Sequence, residues 1–530
     1  VLETARATRG MATAPHHLAS QSGLAVLREG GNAIEAMLAM AATIAVVYPQ
    51  ANAIGGDGFW LIAPPVGAPI AIEGAGRAAP DIAHYQALGL DTIPFRGPEA
   101  ANTVPGAVAG WALAYETARG QGGTMAWERL LADAIFYALN GMPVTEAQHR
   151  ETVGHLDELK EVPGFAEAFL DAAGAPPLPG SILKQPALAE TLAAIASSGP
   201  DDFYRGTLAR RIAADLESVG CPVTQADLAQ QRAYRVDPLS LEISAGTVFN
   251  MPPPTQGLAS LLILGLFDRL DWRAMTPGSF EHVHALVEAT KATFLVRDRE
   301  VGDPDTMQNS PDAYLNAGWL DEAAAAIDPN AARPWSRTGE PGDTVWMGAI
   351  DSNGLAVSYI QSIYWEFGSG VVLPETGVLW QNRGASFSLD PASVRALAPG
   401  RRPFHTLNPA LARLNDGSTL VYGCMGGDGQ PQFQAALFTR AAMFGAPLQA
   451  AVTAPRWLLG RGWGEDSTSL KLEGRFPPDV VQRLAAVGHE IEITADITDL
   501  MGHAGAIRRA PDGTLSGAAD PRSDGAAAGY

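Results

Sequence analysis

Gly342-Asp343-Thr344-Val345-Trp346-Met347-Gly348-Ala349-Ile350-Asp351 is where a segment unable to build a core gives way to a strand. Residues 328–343 (DPNAARPWSRTGEPGD) carry three prolines, two glycines and several charges, a composition that suits a mobile tail. Beyond it, VWMGAID and LAVSYIQS read as two strands joined through Ser352-Asn353-Gly354, and Asn-Gly is the strongest short hairpin signal. If the chain is cut between Asp343 and Thr344, that threonine gains an α-amine beside its hydroxyl, a nucleophile and a base in one residue. The stretch therefore points to self-processing followed by amide hydrolysis. A Thr-Val junction alone is ordinary strand sequence, so the flanks carry the inference.

The rest of the chain is consistent with a large enzyme. With 530 residues and 47% apolar content it can bury a substantial core. A formal charge of −21 argues against nucleic-acid binding. Two cysteines, Cys221 and Cys424, give no disulfide framework; two buried thiols are expected, one bridge being the alternative. The apolar run Ala36 to Tyr48 is too short to span a bilayer. It reads as a buried helix started by Asn32 and Glu35 in a capping-box arrangement. The N-terminal VLETARATRG shows no basic segment followed by an apolar core, so cytoplasm is the expected location. No membrane or nucleic-acid partner is expected. Helices are predicted near 107–118, 127–139, 186–197, 207–218, 257–268, 279–297, 431–444 and 477–487. Strands are predicted near 59–63, 69–73, 344–351, 355–362, 377–381, 408–414, 418–423 and 489–493. Such mixing fits stacked sheets covered by helices.

The chain resembles the γ-glutamyltranspeptidase family of N-terminal-nucleophile (Ntn) hydrolases along nearly its whole length. The motifs that carry the resemblance follow the family's order: GGNAIEAMLAMAATIAVVYPQANAIGGDGFWLI (30–62), TVPGAVAGW (103–111), HALVEATKATFLVRDREVGDPD (284–305), GDTVWMGAIDSNGLAVS (342–358), FGSGVVLPETGVLWQNR (367–383), RRPFHTLNPAL (401–411), GCMGGDGQPQ (423–432) and the terminal DPRSDGAAAGY. The resemblance implies a four-layer αββα fold of mixed α and β structure. It also implies a large subunit, 1–343, ending in a flexible tail, and a small subunit, 344–530, that stay associated as one intertwined unit. A pair of such heterodimers is a further possibility. It implies no cofactor and no metal. Thr344 is then the nucleophile and its own α-amine the base. Ser362 orients that amine, unless it is simply a strand serine facing solvent. Gly426 and Gly427 offer backbone N–H groups to the oxyanion. Gly55-Gly56-Asp57-Gly58 reads as close backbone packing near the site.

The substrate pocket departs from the family pattern. The positions of its Asn, Gln and Asp, which hold an α-carboxylate and α-ammonium, are here Tyr364, Arg383 and Ser386, and its adjacent serines become His405-Thr406. The family's large-subunit arginine falls at Gly76, with Arg77 displaced by one. Arg383, with His405 or Arg77, suits a small amide bearing a carboxylate and no amino group. The plainer alternatives are an Arg383 paired with a core carboxylate and a satisfied loop histidine. The variant motifs most resemble the oxamate-hydrolysing branch, which implies oxalate and ammonia as products. γ-Glutamyl transfer, cephalosporin-type acyl hydrolysis and a silent binding protein are the alternatives. His282, His284 and Glu288 offer a metal-like set, but residues two apart on a helix face different ways.

Overall fold

The computed structural model describes residues 2–336, 343–460 and 467–530. Two seven-stranded sheets, antiparallel throughout, form its centre. One runs Ala526–Gly529, Met11–Ala14, Asp343–Ile350, Ala356–Tyr364, Asp57–Ala63, Ile70–Gly74, Tyr234–Val236. The other runs Ala5–Ala7, Leu515–Ala519, Ala504–Arg509, Thr419–Cys424, Ala410–Leu414, Gly246–Asn250, Leu239–Ile243. Segments from before and after Asp343 pair with one another in both sheets: Met11–Ala14 lies between two later strands, and Ala5–Ala7 and Gly246–Asn250 flank a block of four later ones.

Three cores separate four layers. Between the sheets lie Phe59, Leu61, Trp346, Ile360, Leu411, Val421 and Ile507. Outside the first sheet, Trp60, Val345, Met347 and Val357 pack against the helix Ala33–Val47 and its neighbours. Outside the second, Val248, Ala412 and Tyr422 meet the helices Gly257–Arg269, Phe280–Glu300 and Gln430–Phe438. The strands' period of two divides these sets: side chains one apart leave the sheet on opposite faces. The αββα expectation is therefore met, and no helix is long and apolar enough to cross a membrane among the described residues.

The Ala33–Val47 helix is buried along its whole length. The capping box at its start is formed as read: Asn32 Oδ1 accepts from the N–H of Ile34 and Glu35, and Glu35 accepts from the N–H of Asn32 at 2.9 Å. Trp346 ties the sheets together. Its indole lies where a Cβ on Gly423 would be 2.1 Å away and one on Gly505 2.5 Å away, and its N–H donates to Ser358 at 2.9 Å.

Residues 377–381 do not form a continuous strand; they contribute isolated bridges, Val372 to Leu379 and Gly55 to Trp380. The mobile tail expected over 328–343 also needs correction at its start. Ala332 N–H donates to Val487 at 2.8 Å, Arg333 N–H to Glu288 at 3.1 Å, and Lys291 to the Arg333 carbonyl at 2.6 Å. Residues 337–342 lie outside the described residues. Both cysteines are free and buried.

Candidate functional site

Thr344 is fully buried near the start of its strand. Trp346 and Ile350 point between the sheets while Val345, Met347 and Ala349 point to the helices. Parity thus aims Thr344 at the inter-sheet space, at a register irregularity between Asp343 and Val345. Its Oγ1 accepts from the Gln430 amide at 3.4 Å. Asp343 pairs with Tyr364 and Val345 with Gln361, so Thr344 faces the Ser362-Ile363 step, and Ser362 pairs in turn with Asp57 on the third strand. Three polar residues so line one end of three adjacent strands. Ser362 is buried, not solvent-facing, and its Oγ accepts from the Tyr364 N–H at 2.8 Å.

Gly426 and Gly427 follow the Thr419–Cys424 strand of the opposite sheet and precede the helix that begins at Gln430. Their φ values of +119° and +50° lie where side chains are disfavoured, and a Cβ on Gly426 would sit 2.8 Å from Phe433. The large half braces this turn. The Gln256 amide donates to the carbonyls of Gly427 and Thr406, each at 2.9 Å, and accepts from Arg297 at 3.0 Å. Arg297 also pairs with Asp428 at 3.0 Å. One buried arginine thereby fixes the glycine turn relative to the His405-Thr406 loop.

Arg383 opens the short helix Arg383–Ser386 and is buried. Its guanidinium lies 3.9 Å over the Tyr364 ring, a cation–π contact strengthened by exclusion of water. Nη1 donates to the Thr406 hydroxyl at 3.5 Å. Tyr364 takes φ +84°, rare for an aromatic residue and concentrated at functional sites. Ser386, where the family acid would stand, donates instead to the carbonyls of Arg383 and Phe404 and secures the helix.

Arg77 does not join this cluster. Its guanidinium donates to the Gly400 carbonyl at 2.7 Å and stacks on Tyr234 at 5.7 Å. No side chain fits at Gly76, where a Cβ would be 1.5 Å from the Val104 carbonyl. His405 is buried against Phe59, its Nε2 3.5 Å from Asp57 Oδ2. Burial, then the charge of Arg383, holds its pKa well below the usual histidine range. Asp57 Oδ1 accepts from the N–H of Gly76 and Gly106, each at 2.8 Å. Burial pushes its carboxyl up to about 7 despite these bonds and the pull of Arg383.

Sequence reasoning took Asp57 only as part of close backbone packing near the site, and passed over Gln256, Arg297 and Gln430. A charged residue inside the glycine run at 55–58 was the available signal for the first, and the Gln-Pro helix start after the glycine pair for the last.

The metal-like set resolves differently. His282 turns to Thr439, at 2.9 Å, while His284 meets His489, at 2.8 Å, as expected for residues two apart. His284, Glu288 and His489 do converge, but Lys291 lies among them, 2.8 Å from Glu288 and 3.4 Å from His489. Lys291 donates to His489 Nδ1, His489 Nε2 to His284 Nδ1, and His284 Nε2 to the Asp328 carbonyl at 2.9 Å. Burial and Lys291 hold His489 down to about 3, so its ring is neutral and can accept from Lys291. It anchors residues 328–333.

Comparison with known proteins agrees with this fold. A family model described as Gamma-glutamyltranspeptidase matches residues 19–530. The chain is 57% identical over 525 residues to the oxamate amidohydrolase proenzyme of Klebsiella pneumoniae, covering 99% of each. It is 31% identical to the glutathione hydrolase proenzyme of Escherichia coli, covering 100% of this chain and 93% of the relative. The crystal structure of cephalosporin acylase from Bacillus halodurans superposes with a TM-score of 0.90 at 34% identity, covering 100% of this chain and 97% of that one.

Proposed function

The chain belongs to the gamma-glutamyltranspeptidase family of self-processing amide hydrolases, and we propose that it cleaves itself between Asp343 and Thr344 and then hydrolyses oxamate to oxalate and ammonia. The observation that carries the substrate reading is Arg383, buried on the Tyr364 ring beside the Thr406 hydroxyl. A buried guanidinium fork recognises a carboxylate through paired charge-assisted bonds. The name of the Klebsiella pneumoniae relative supports the same substrate.

In the proposed reaction Thr344 Oγ attacks the amide carbonyl while its α-amine takes the hydroxyl proton. The N–H groups of Gly426 and Gly427 receive the oxyanion, one such donor being worth about 3 kcal/mol. The α-ammonium returns the proton to the departing nitrogen, and ammonia leaves an ester on Thr344. Water then attacks that ester with the α-amine again as base, releasing the acid and the threonine hydroxyl. Ser362, in the Ser362-Ile363 step that faces Thr344, orients the amine. The large and small subunits stay together because strands of both pair with one another in each sheet.

The test compares ammonia release from oxamate with anilide release from a γ-glutamyl anilide by the matured protein. Turnover of oxamate with negligible anilide release is expected. The reverse preference would replace this reading with γ-glutamyl transfer.

A further inference from the structure

Asp57 and His405 are neighbours with unmet polar atoms. Both are completely buried, and their facing atoms are 3.5 Å apart. Among the described residues, neither Asp57 Oδ2 nor either ring nitrogen of His405 makes a hydrogen bond of good geometry, although the Gln381 side chain stands close enough to pull the Asp57 carboxyl down. Burying such atoms has a cost unless they act together or serve a ligand. Asp57 lies across from Ser362, and His405 precedes Thr406, which accepts from Arg383. The pair therefore stands beside the carboxylate subsite.

The charge count gives the pair a role. With Asp57 ionised and His405 neutral, the Asp57 charge pulls on Arg383 and repels a carboxylate docking there. One more proton on the pair removes that repulsion within a buried site. We propose that the Asp57–His405 pair takes up one proton when a substrate carboxylate docks on Arg383, making it a proton-linked selector for small anionic amides. The inference rests on the reading of Arg383 given above. The proton comes from solvent, is held at Asp57 Oδ2 or His405 Nε2, and returns to solvent when the product leaves; no other bond changes.

The raised Asp57 carboxyl puts this uptake near neutrality. The pair titrates as a unit, its value belonging to both groups. Around it stand Arg383, the phenols of Tyr359 and Tyr204, the Glu73–Arg402 ion pair on the adjoining strand and loop, and the α-amine proposed for Thr344. Burial holds both phenols well above their ordinary value, so they stay neutral. The Thr344 amine serves every substrate alike, so a neutral amide separates its titration from that of the pair.

The experiment measures KM and kcat of matured protein for oxamate and for neutral oxamide between about pH 6 and 9, in the parent and in Asp57→Asn. Asparagine keeps the acceptor for Gly76 and Gly106 but cannot ionise. For the parent, the oxamate KM is expected to rise about tenfold per pH unit above the pair's pKa, with no such rise for oxamide. In Asp57→Asn the oxamate KM should stay within about twofold across the range, since the linkage is gone. Titration calorimetry of oxamate in buffers of different ionisation enthalpy should show proton uptake in the parent and none in the variant. A flat parent profile, or an equal slope in the variant, overturns the pairing while leaving oxamate as substrate. Absence of oxamate turnover in fully cleaved parent overturns the substrate reading and this inference together. Should Asp57→Asn fail to mature, His405→Gln sets a permanent amide donor against Oδ2 and should move the break to lower pH; an unmoved break overturns the proposal.

Discussion

Replacing Arg383 with glutamine puts in the neutral amide that the family resemblance implies at this position and removes the one charge assigned to the substrate carboxylate. Each hydrogen bond from a charged donor contributes about 1.5–3 kcal/mol, and a fork supplies two. Glutamine can return part of one, so the net loss is about 3 kcal/mol, or a fall in kcat/KM for oxamate of about 100- to 200-fold. Arg383→Lys keeps the charge but loses the fork and much of the stack on Tyr364, and should lose about 10- to 30-fold. The assay is steady-state ammonia release from oxamate and from oxamide, which has no carboxylate to lose. Fragment formation on a denaturing gel checks that each variant matures. Arg383→Gln within about threefold of the parent on oxamate, or equally impaired on oxamide, would refute the assignment of Arg383 to the carboxylate.

Three further substitutions, one of them a control, test the surrounding architecture. Gly423→Ala drives a methyl to within 2.1 Å of the Trp346 ring, and overpacking of this kind costs about 3 kcal/mol. Thermal unfolding should shift down by several degrees, and self-cleavage should slow because Trp346 lies two residues from Thr344. Gly120→Ala at a helix end, where nothing stands within 4 Å, should leave both unchanged. Lys291→Met leaves Glu288 buried without its cation and removes the donor to the Arg333 carbonyl, a loss of about 3–5 kcal/mol. Limited proteolysis should then open residues 328–336 well before the rest of the chain, and uniform resistance would show that the network does not hold this segment.

The parts most legible in the sequence were those in which local signals and burial agree. The Asn32 capping box, the hairpin after Thr344 and the long helices carry caps, turns or periodic apolar faces that need no tertiary help. The strands Met11–Ala14, Leu515–Ala519 and Ala526–Gly529 were missed because they consist largely of alanine, glycine and serine. Such residues have little intrinsic strand preference and extend here because the sheets pair them. Residues 377–381 erred the other way, with apolar strand-like composition but no partner strand beyond isolated bridges. At the site, Thr344, Ser362 and the glycine pair were named from the hairpin and the family motifs, whose order follows the chain. Asp57 meets His405 across about 350 positions of sequence and Gln256 meets Gly427 across 171; only the packing of the two sheets brings them together. Arg77 shows the converse: one position from the family arginine, it turns to Gly400 because Gly76 has no room for a side chain.

The central claim is that Thr344 becomes the N-terminal residue of a small subunit. Its most direct test is the intact mass of purified protein under denaturing conditions, with N-terminal sequencing of any fragment, for the parent and for Thr344→Ala. The account predicts a parent fragment beginning Thr344-Val345-Trp346 and a variant that stays a single, folded, inactive chain. A parent that remains uncut while turning over oxamate, or a variant cut at the same bond, would contradict it.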